Sequence, residues 1–441
     1  MKPADSLRAS WLWVLSAALI LHACVGGSHL SRPQQRQLDR LLSQPHEFSG
    51  AHVGFALGDA TSGRVLYSFQ GHKGFIPAST TKLLTLYLSL KMLPAVLTRG
   101  FLRDSAGVTF RIPSGDPTFL HPDFEHWTGQ IAEKPVRVLM PTERAGPESW
   151  GKGWAWDDAL ESYSPEISPL PLYGNVFRWI IDSLGKPVPS QHWVPKVFIE
   201  DRGVAVGGFA PGPGFQVRYH PGAPLTDGQG EMPIRSFRAA LSGLLATSPA
   251  GSWQLVDCDT FPDFRRLWTR EAGAPRDTVL RYMMHRSDNF LAEQLLLQCA
   301  VEETGGFHIE PLLERGRDSL LKSLPNPLRW VDGSGLSRYN LNTPLNNIWL
   351  LSRMWQEYPR EYLLRFLCTP TEGTLRSWEG LPAGTVWAKT GSMRGVQCIS
   401  GYLRTRKGNW VTFSFMVNHF IGGGKGTRQR IAQVLKRIAE S

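Results

Sequence analysis

Hydrophobic and polar positions along the chain change their rhythm three times. From 52 to 69 they alternate around Asp59-Ala60-Thr61-Ser62-Gly63, which predicts a β-hairpin with Gly63 in its turn. Leu83, Leu84, Leu86, Tyr87, Leu88 and Leu90 then crowd the run 79–93. A helix apolar on most of its circumference is a buried helix, and Pro94 limits it. Helical spacing returns at 277–284 and 290–301, separated by the polar connection His285-Arg286-Ser287-Asp288-Asn289. The segments 385–389, 396–403 and 409–417 read as an antiparallel meander with a turn at Lys407-Gly408-Asn409. Ile431, Val434, Leu435 and Ile438 fall at helical spacing and predict a final amphipathic helix.

The stretch 98–270 has no long helical period. It is dense in Pro and Gly, carries 8 of the 16 Trp, and shows short β-like runs such as 193–199. The expected organisation is therefore α+β: one domain from 30–97 and 271–441, an antiparallel sheet flanked by helices, interrupted by one or two inserted β-rich modules over 98–270. A length of 441 residues accommodates that division.

Composition narrows the class. With 42% hydrophobic and 20% charged residues the chain is neither mostly disordered nor a polytopic membrane protein. The net charge of +10 is modest for the length, and no nucleic-acid partner is expected. Between 402 and 441 eight Lys or Arg stand against one Glu, a pattern that a solvated helix face explains.

Residues 1–24 read as a targeting segment: Lys2 and Arg8 precede the apolar run 11–21, which is too short to span a bilayer. Export to the periplasm follows. Leu21-His22-Ala23-Cys24, followed by Val25-Gly26-Gly27-Ser28, resembles a bacterial lipoprotein signal and makes Cys24 a candidate lipidation site and outer-membrane anchor; ordinary cleavage that discards Cys24 is the alternative. Cys258, Cys299, Cys368 and Cys398 contain no C-x-x-C pair, so no metal site is expected, and their pairing is left open.

Three short motifs carry chemistry. In Ser79-Thr80-Thr81-Lys82 the hydroxyl and the amine lie three residues apart on one helical face, and a desolvated lysine can serve as the base that a serine nucleophile needs. Ser-x-x-Lys recurs at Ser149/Lys152, Ser183/Lys186 and Ser319/Lys322, but only Ser79 opens an apolar helix after a hairpin. Ser287-Asp288-Asn289 offers a second hydroxyl for proton relay and a carboxamide for a substrate amide, in residue types that also cap helices. Lys389-Thr390-Gly391-Ser392-Met393 combines a fixed ammonium and a hydroxyl suited to a carboxylate with a glycine that admits close backbone approach. The Ser392 and Ser79 N–H groups would form an oxyanion hole.

In this order, the three motifs resemble those of penicillin-binding proteins and class A β-lactamases. Pro77-Ala78-Ser79, the long stretch between Lys82 and Ser287, Ser114-Gly115-Asp116-Pro117, Trp154-Ala155-Trp156-Asp157-Asp158, Asp332-Gly333-Ser334-Gly335-Leu336-Ser337-Arg338 and Gly373-Thr374-Leu375 narrow the resemblance to the D-alanyl-D-alanine carboxypeptidase/endopeptidase family of class C low-molecular-mass penicillin-binding proteins. The resemblance implies a β-lactamase/transpeptidase-like domain with two β-rich insertions, peptidoglycan stem peptides as substrates, acylation by β-lactams and no cofactor. It assigns Ser79 as nucleophile, Lys82 as general base, Ser287 and Asn289 as the second motif, and Lys389 and Thr390, with Gly391 and Ser392, as the carboxylate-binding strand. It also implies that Asp116, Leu336, Arg338 and Met393 line the pocket for the side chain preceding D-Ala, Asp116 meeting the ammonium of diaminopimelate. Two rival readings are a serine β-lactamase or esterase of the same fold and a non-catalytic cell-wall binding protein.

Overall fold

A computed structural model describes residues 30–440 apart from 44–47, 49, 128–134, 184, 191–197, 206–207, 213–215, 221–228, 236–237, 239–240, 243–252 and 262–263. Residues 1–29, with the expected targeting segment and Cys24, lie outside the described residues. Helix α1 (Arg32–Ser43) precedes the hairpin of β1 (His52–Asp59) and β2 (Val65–Phe69). Asp59 closes its turn, Oδ1 accepting the N–H groups of Thr61 (3.1 Å) and Ser62 (2.8 Å), and Gly63 takes the left-handed conformation that the turn requires.

Periodicity predicts a helix from Ser79, but the chain first makes one 3₁₀ turn, Ala78–Thr81, before α2 (Lys82–Met92). The Thr80 and Thr81 hydroxyls explain the difference: they donate back to Pro77 O (2.7 Å) and Ala78 O (2.9 Å). After α2 the chain enters the insert through β3 (Val96–Ser105), β4 (Val108–Pro113) and β5 (Val136–Pro141). Strands β6 (Val176–Ile181), β7 (Pro187–Pro189) and β11 (Gln229–Pro233) form one small sheet; β8 (Phe198–Glu200), β9 (Phe209–Pro211) and β10 (Val217–Tyr219) form another. Phe177, Trp179, Phe198 and Phe209 pack between them. The chain returns through β12 (Trp253–Cys258) and β13 (Thr269–Pro275), completing a sheet of order β12-β5-β4-β3-β13. Because β3 and β13 pair antiparallel, the insert begins and ends side by side, and both strands straddle the borders expected at 98 and 270.

Helices α3 (Arg276–Arg286), α4 (Asn289–Thr304), α5 (Glu310–Asp318) and α6 (Pro344–Glu357) follow, then the meander β14 (Val386–Met393), β15 (Val396–Arg404), β16 (Trp410–Asn418) and helix α7 (Gly424–Ala439). The main sheet has the order β14-β15-β16-β1-β2, with Phe55 opposite Phe415. Apolar residues of α2, α3, α4 and α6 build one core, while α1 and α7 cover the other face of the sheet. Cys299, Cys368 and Cys398 are buried without disulfides, and Cys258 is half-buried.

Helix α4 also fastens the insert. Gln294 donates to Gly115 O (2.9 Å) and Ser168 O (2.8 Å) and accepts from Ser168 N (3.0 Å); one turn on, Gln298 donates to Thr98 O (2.8 Å). Gln294, spending both donor and acceptor, and Gln298, through its donor, fix the two modules in register.

Candidate active site

Ser79 sits on a bend that the backbone adopts only under constraint. Ala78, fully buried before it, has φ +46°, a conformation that costs an alanine on the order of 1 kcal/mol and persists where neighbours enforce it. Two glycines supply that enforcement. A Cβ on Gly335, itself at φ +82°, would stand 1.9 Å from Ala78 O, and one on Gly391 would stand 2.9 Å from Ser79 N. The 332–338 loop and strand β14 therefore press on the nucleophile turn from two sides. Only glycine allows the contact.

Lys82, opening α2, is fully buried. Its Nζ donates to Ser79 Oγ (3.0 Å), Asn289 Oδ1 (2.6 Å) and Ser334 O (2.8 Å), which uses every donor of an ammonium. Burial lowers its pKa to about 8, while the carboxylates of Glu293, Asp288 and Asp332 pull the other way. At pH 7 about a tenth of such an amine is the free base, against less than about a thousandth of an ordinary lysine.

Ser287 ends α3 in the left-handed conformation, φ +59°, and Asp288 caps α4 by accepting from Leu291 N (2.8 Å). The capping role and the corner are one device: the cap fixes the turn that delivers Ser287 and Asn289 to the cleft. Lys389, also fully buried, donates to Ser287 Oγ (2.9 Å) and Thr390 O (2.7 Å). Burial, then the nearby Lys82, hold its proton affinity well below that of a free lysine. Thr390 Oγ1 donates to Thr374 Oγ1 (2.7 Å), and Gln397 Nε2 donates to Ser392 Oγ (2.7 Å).

These elements border a cleft of about 360 Å³ lined by Ser79, Ser287, Asn289, Leu336, Arg338, Ser392 and Met393 among others. Lys82, Lys389, Thr390 and Gly391 stand behind that lining. Asp116 is corrected: it does not reach the cleft. Its Oδ1 accepts from Thr118 N (3.0 Å) and Thr118 Oγ1 (2.8 Å), its Oδ2 lies 3.8 Å from Arg99 Nε, and the carboxyl is 2% exposed. The Asp-Pro turn points its carboxylate into the junction of β3, β4 and β13, where Arg111 and Glu271 complete a buried cluster. The acids that line the cleft are Asp157 and Asp158. Asp158 is oriented by the Tyr163 hydroxyl (2.7 Å), and Tyr163 O accepts from Asn289 Nδ2 (2.9 Å). Arg394 joins Arg338 on the rim, so two acids and two guanidinium groups surround one opening. The paired acids beside exposed Trp156 are visible in the sequence, but nothing local aims them at Ser79.

The sequence matches the D-Ala-D-Ala carboxypeptidase 3 (S13) family over residues 34–191 and 265–439. It is 26% identical to a D-alanyl-D-alanine carboxypeptidase of an Actinomadura species, covering 91% of this chain and 83% of that protein. It is 20% identical to the D-alanyl-D-alanine carboxypeptidase DacB of Haemophilus influenzae, covering 88% and 89%. The crystal structure of Haemophilus influenzae penicillin binding protein 4 superposes with a TM-score of 0.73 at 16% identity, covering 92% of this chain and 99% of that one. The same protein complexed with a β-lactam gives 0.69.

Proposed function

The chain belongs to the D-Ala-D-Ala carboxypeptidase 3 (S13) family of serine peptidases, and from that membership and the cleft we propose that Ser79 is the nucleophile of a D,D-peptidase acting on peptidoglycan stem peptides. The observation that carries the assignment is the Lys82 amine, held at once by Ser79 Oγ, Asn289 Oδ1 and Ser334 O. As the free base, Lys82 takes the proton of Ser79 Oγ while the oxygen bonds to the penultimate D-Ala carbonyl carbon. The developing oxyanion is met by the Ser79 and Ser392 N–H groups. The proton passes by way of Ser287 to the departing amine as the C–N bond breaks, leaving an acyl-Ser79 ester. Water then gives a proton to Lys82 and its oxygen to the ester, and Ser79 leaves reprotonated.

Asp157, Asp158, Arg338 and Arg394 give the finer substrate reading. A side chain ending in both an ammonium and a carboxylate, as diaminopimelate does, matches two acids and two guanidinium groups around one opening. Asp158 takes the role that the sequence suggested for Asp116. Lys389, through Ser287 and Thr390, orients the terminal carboxylate. A free carboxyl terminus gives carboxypeptidase action; a cross-link to diaminopimelate gives endopeptidase action. The targeting segment supports export to the periplasm, with Cys24 as the lipid anchor.

Intact mass after incubation with benzylpenicillin tests the reading: one adduct per chain, mapped to Ser79 and slow to leave, is expected. No adduct, or rapid turnover of the drug with no D-Ala release, overturns it in favour of a binding protein or a β-lactamase.

A further inference from the structure

Glu293 belongs to none of the three motifs. It lies four residues after Asn289, hence one turn along the same face of α4, and is 2% exposed. Its two oxygens accept consecutive backbone N–H groups: Oε2 from Gly333 (3.0 Å) and Oε1 from Ser334 (2.8 Å). Ser334 O is one of the three acceptors of Lys82 Nζ, and Gly333 O accepts from Thr85 Oγ1 (2.6 Å), one turn of α2 beyond Lys82. Ser334 thus joins the two, its N–H bonded to the carboxylate and its C=O, in the following peptide group, to the amine. Asp332 completes the loop by accepting from Gly335 N (2.9 Å) and Ser337 N (2.6 Å), from Trp154 Nε1 (3.0 Å) and from Asn340 Nδ2 (2.7 Å). The 333–334 amides point into α4, where Glu293 is their acceptor.

We propose that Glu293 is the positioning residue of Lys82, fixing the backbone of Gly333 and Ser334 so that Ser334 O and Asn289 Oδ1 aim the amine at Ser79 Oγ, and placing its charge beside that amine. This rests on Ser79 and Lys82 acting as assigned above. The same residue would also hold Gly335 against Ala78, linking the loop to the bend of the nucleophile turn. Lys82 faces Glu293 and Asp288 from α4 and its cap, Asp332 from the loop, and Lys389 from β14. Burial and Asp332 raise the proton affinity of the Glu293 carboxyl, while the N–H groups of Gly333 and Ser334, one on each oxygen, favour its ionised form.

The test is the rate of Ser79 acylation by benzylpenicillin, as separate affinity and acylation constants, between pH 5.5 and 9.5 on the full-length protein. Glu293→Gln removes the charge and turns an amide N–H toward one loop N–H. Its acylation constant should fall about tenfold or more with the affinity constant within twofold, and its acid limb should move about one pH unit lower, because a lysine without its carboxylate loses its proton more easily. Glu293→Asp keeps the charge but is one methylene short: the acylation constant should fall while the acid limb stays in place. A Glu293→Gln protein acylated like the wild type, or slowed with an unmoved acid limb, overturns the inference. If that variant does not fold, Glu293→Asp decides: a wild-type acylation constant overturns it. A wild-type protein that is not acylated at all instead sinks the assignment of Ser79.

Discussion

Among the described residues two clusters of buried charge stand out, and they are built on opposite plans. Around Ser79, Lys82 and Lys389 each spend their ammonium donors on neutral oxygens, Ser79, Asn289 and Ser334 for the first, Ser287 and Thr390 for the second. Among the described residues neither lysine has a carboxylate in direct contact. At the junction of the insert, Arg111 lies 2.8 Å from Glu271, which is 3.5 Å from Arg99, which is 3.8 Å from Asp116. There the charges compensate one another and border no part of the Ser79 cleft. A buried ion pair quenches its own reactivity, whereas a buried ammonium on neutral acceptors has its pKa depressed and stands ready to exchange a proton. Burial of charge alone therefore does not mark the site; what the charge is paired with does.

The sharpest way to break this contrast is at Ser79. Ser79→Ala should abolish benzylpenicillin labelling and lower D-Ala release by about a thousandfold or more, with the melting temperature little changed; Ser149→Ala, in a competing Ser-x-x-Lys, should label normally. Labelling that survives the first change would place the nucleophile elsewhere. Lys389→Ala comes next. If its ammonium orients the terminal carboxylate, peptides with a free terminus should lose about 10- to 100-fold in kcat/KM, as for a charge-assisted hydrogen bond, and their C-terminal amides far less. Equal losses would reduce Lys389 to a support for Ser287.

The two clusters can then be compared through one substitution in each. Asp158→Asn should cost about tenfold in kcat/KM for peptides ending in diaminopimelyl-D-alanyl-D-alanine and little for a substrate whose side chain lacks an ammonium. Asp116→Asn should leave that ratio within about twofold yet melt earlier, having lost about 3 kcal/mol by stranding buried guanidinium charge. A changed ratio in Asp116→Asn, measured with the same two peptides, would put that residue back in contact with substrate.

Ser79, Lys82, Ser287, Asn289 and Lys389 were legible as candidates because each motif pairs residue types that do chemistry only at short range. Asp116 misled for a local reason: Gly-Asp-Pro makes the same turn whether the carboxylate faces a cleft or a core, and the arginines that claim it come from β3 and β4. Asp158 and Glu293 were hidden for the converse reason. Their partners, Tyr163 and the 333–334 peptide, show nothing chemical in sequence, and only the packing of α4 brings the latter into place. The hairpin, the meander and the apolar helices were readable from periodicity. The parallel pairings of β5 with β4 and β12 in the insert were not, since such pairs span long loops with no turn signature.

The position of β1 sets an order of events. It lies between β2 and β16, so Phe55 must find Phe415, about 360 positions downstream, before the main sheet can close. In a chain that emerges from its N-terminus, β1 would appear early and keep one edge unpaired until the last strand arrived. Ser79 lies upstream of nearly all its partners, with Asn289, Ser334 and Gly391 supplied by later segments. The nucleophile turn would thus be among the last parts to acquire its strain, and a chain that has not yet closed its sheet would be inert toward substrate.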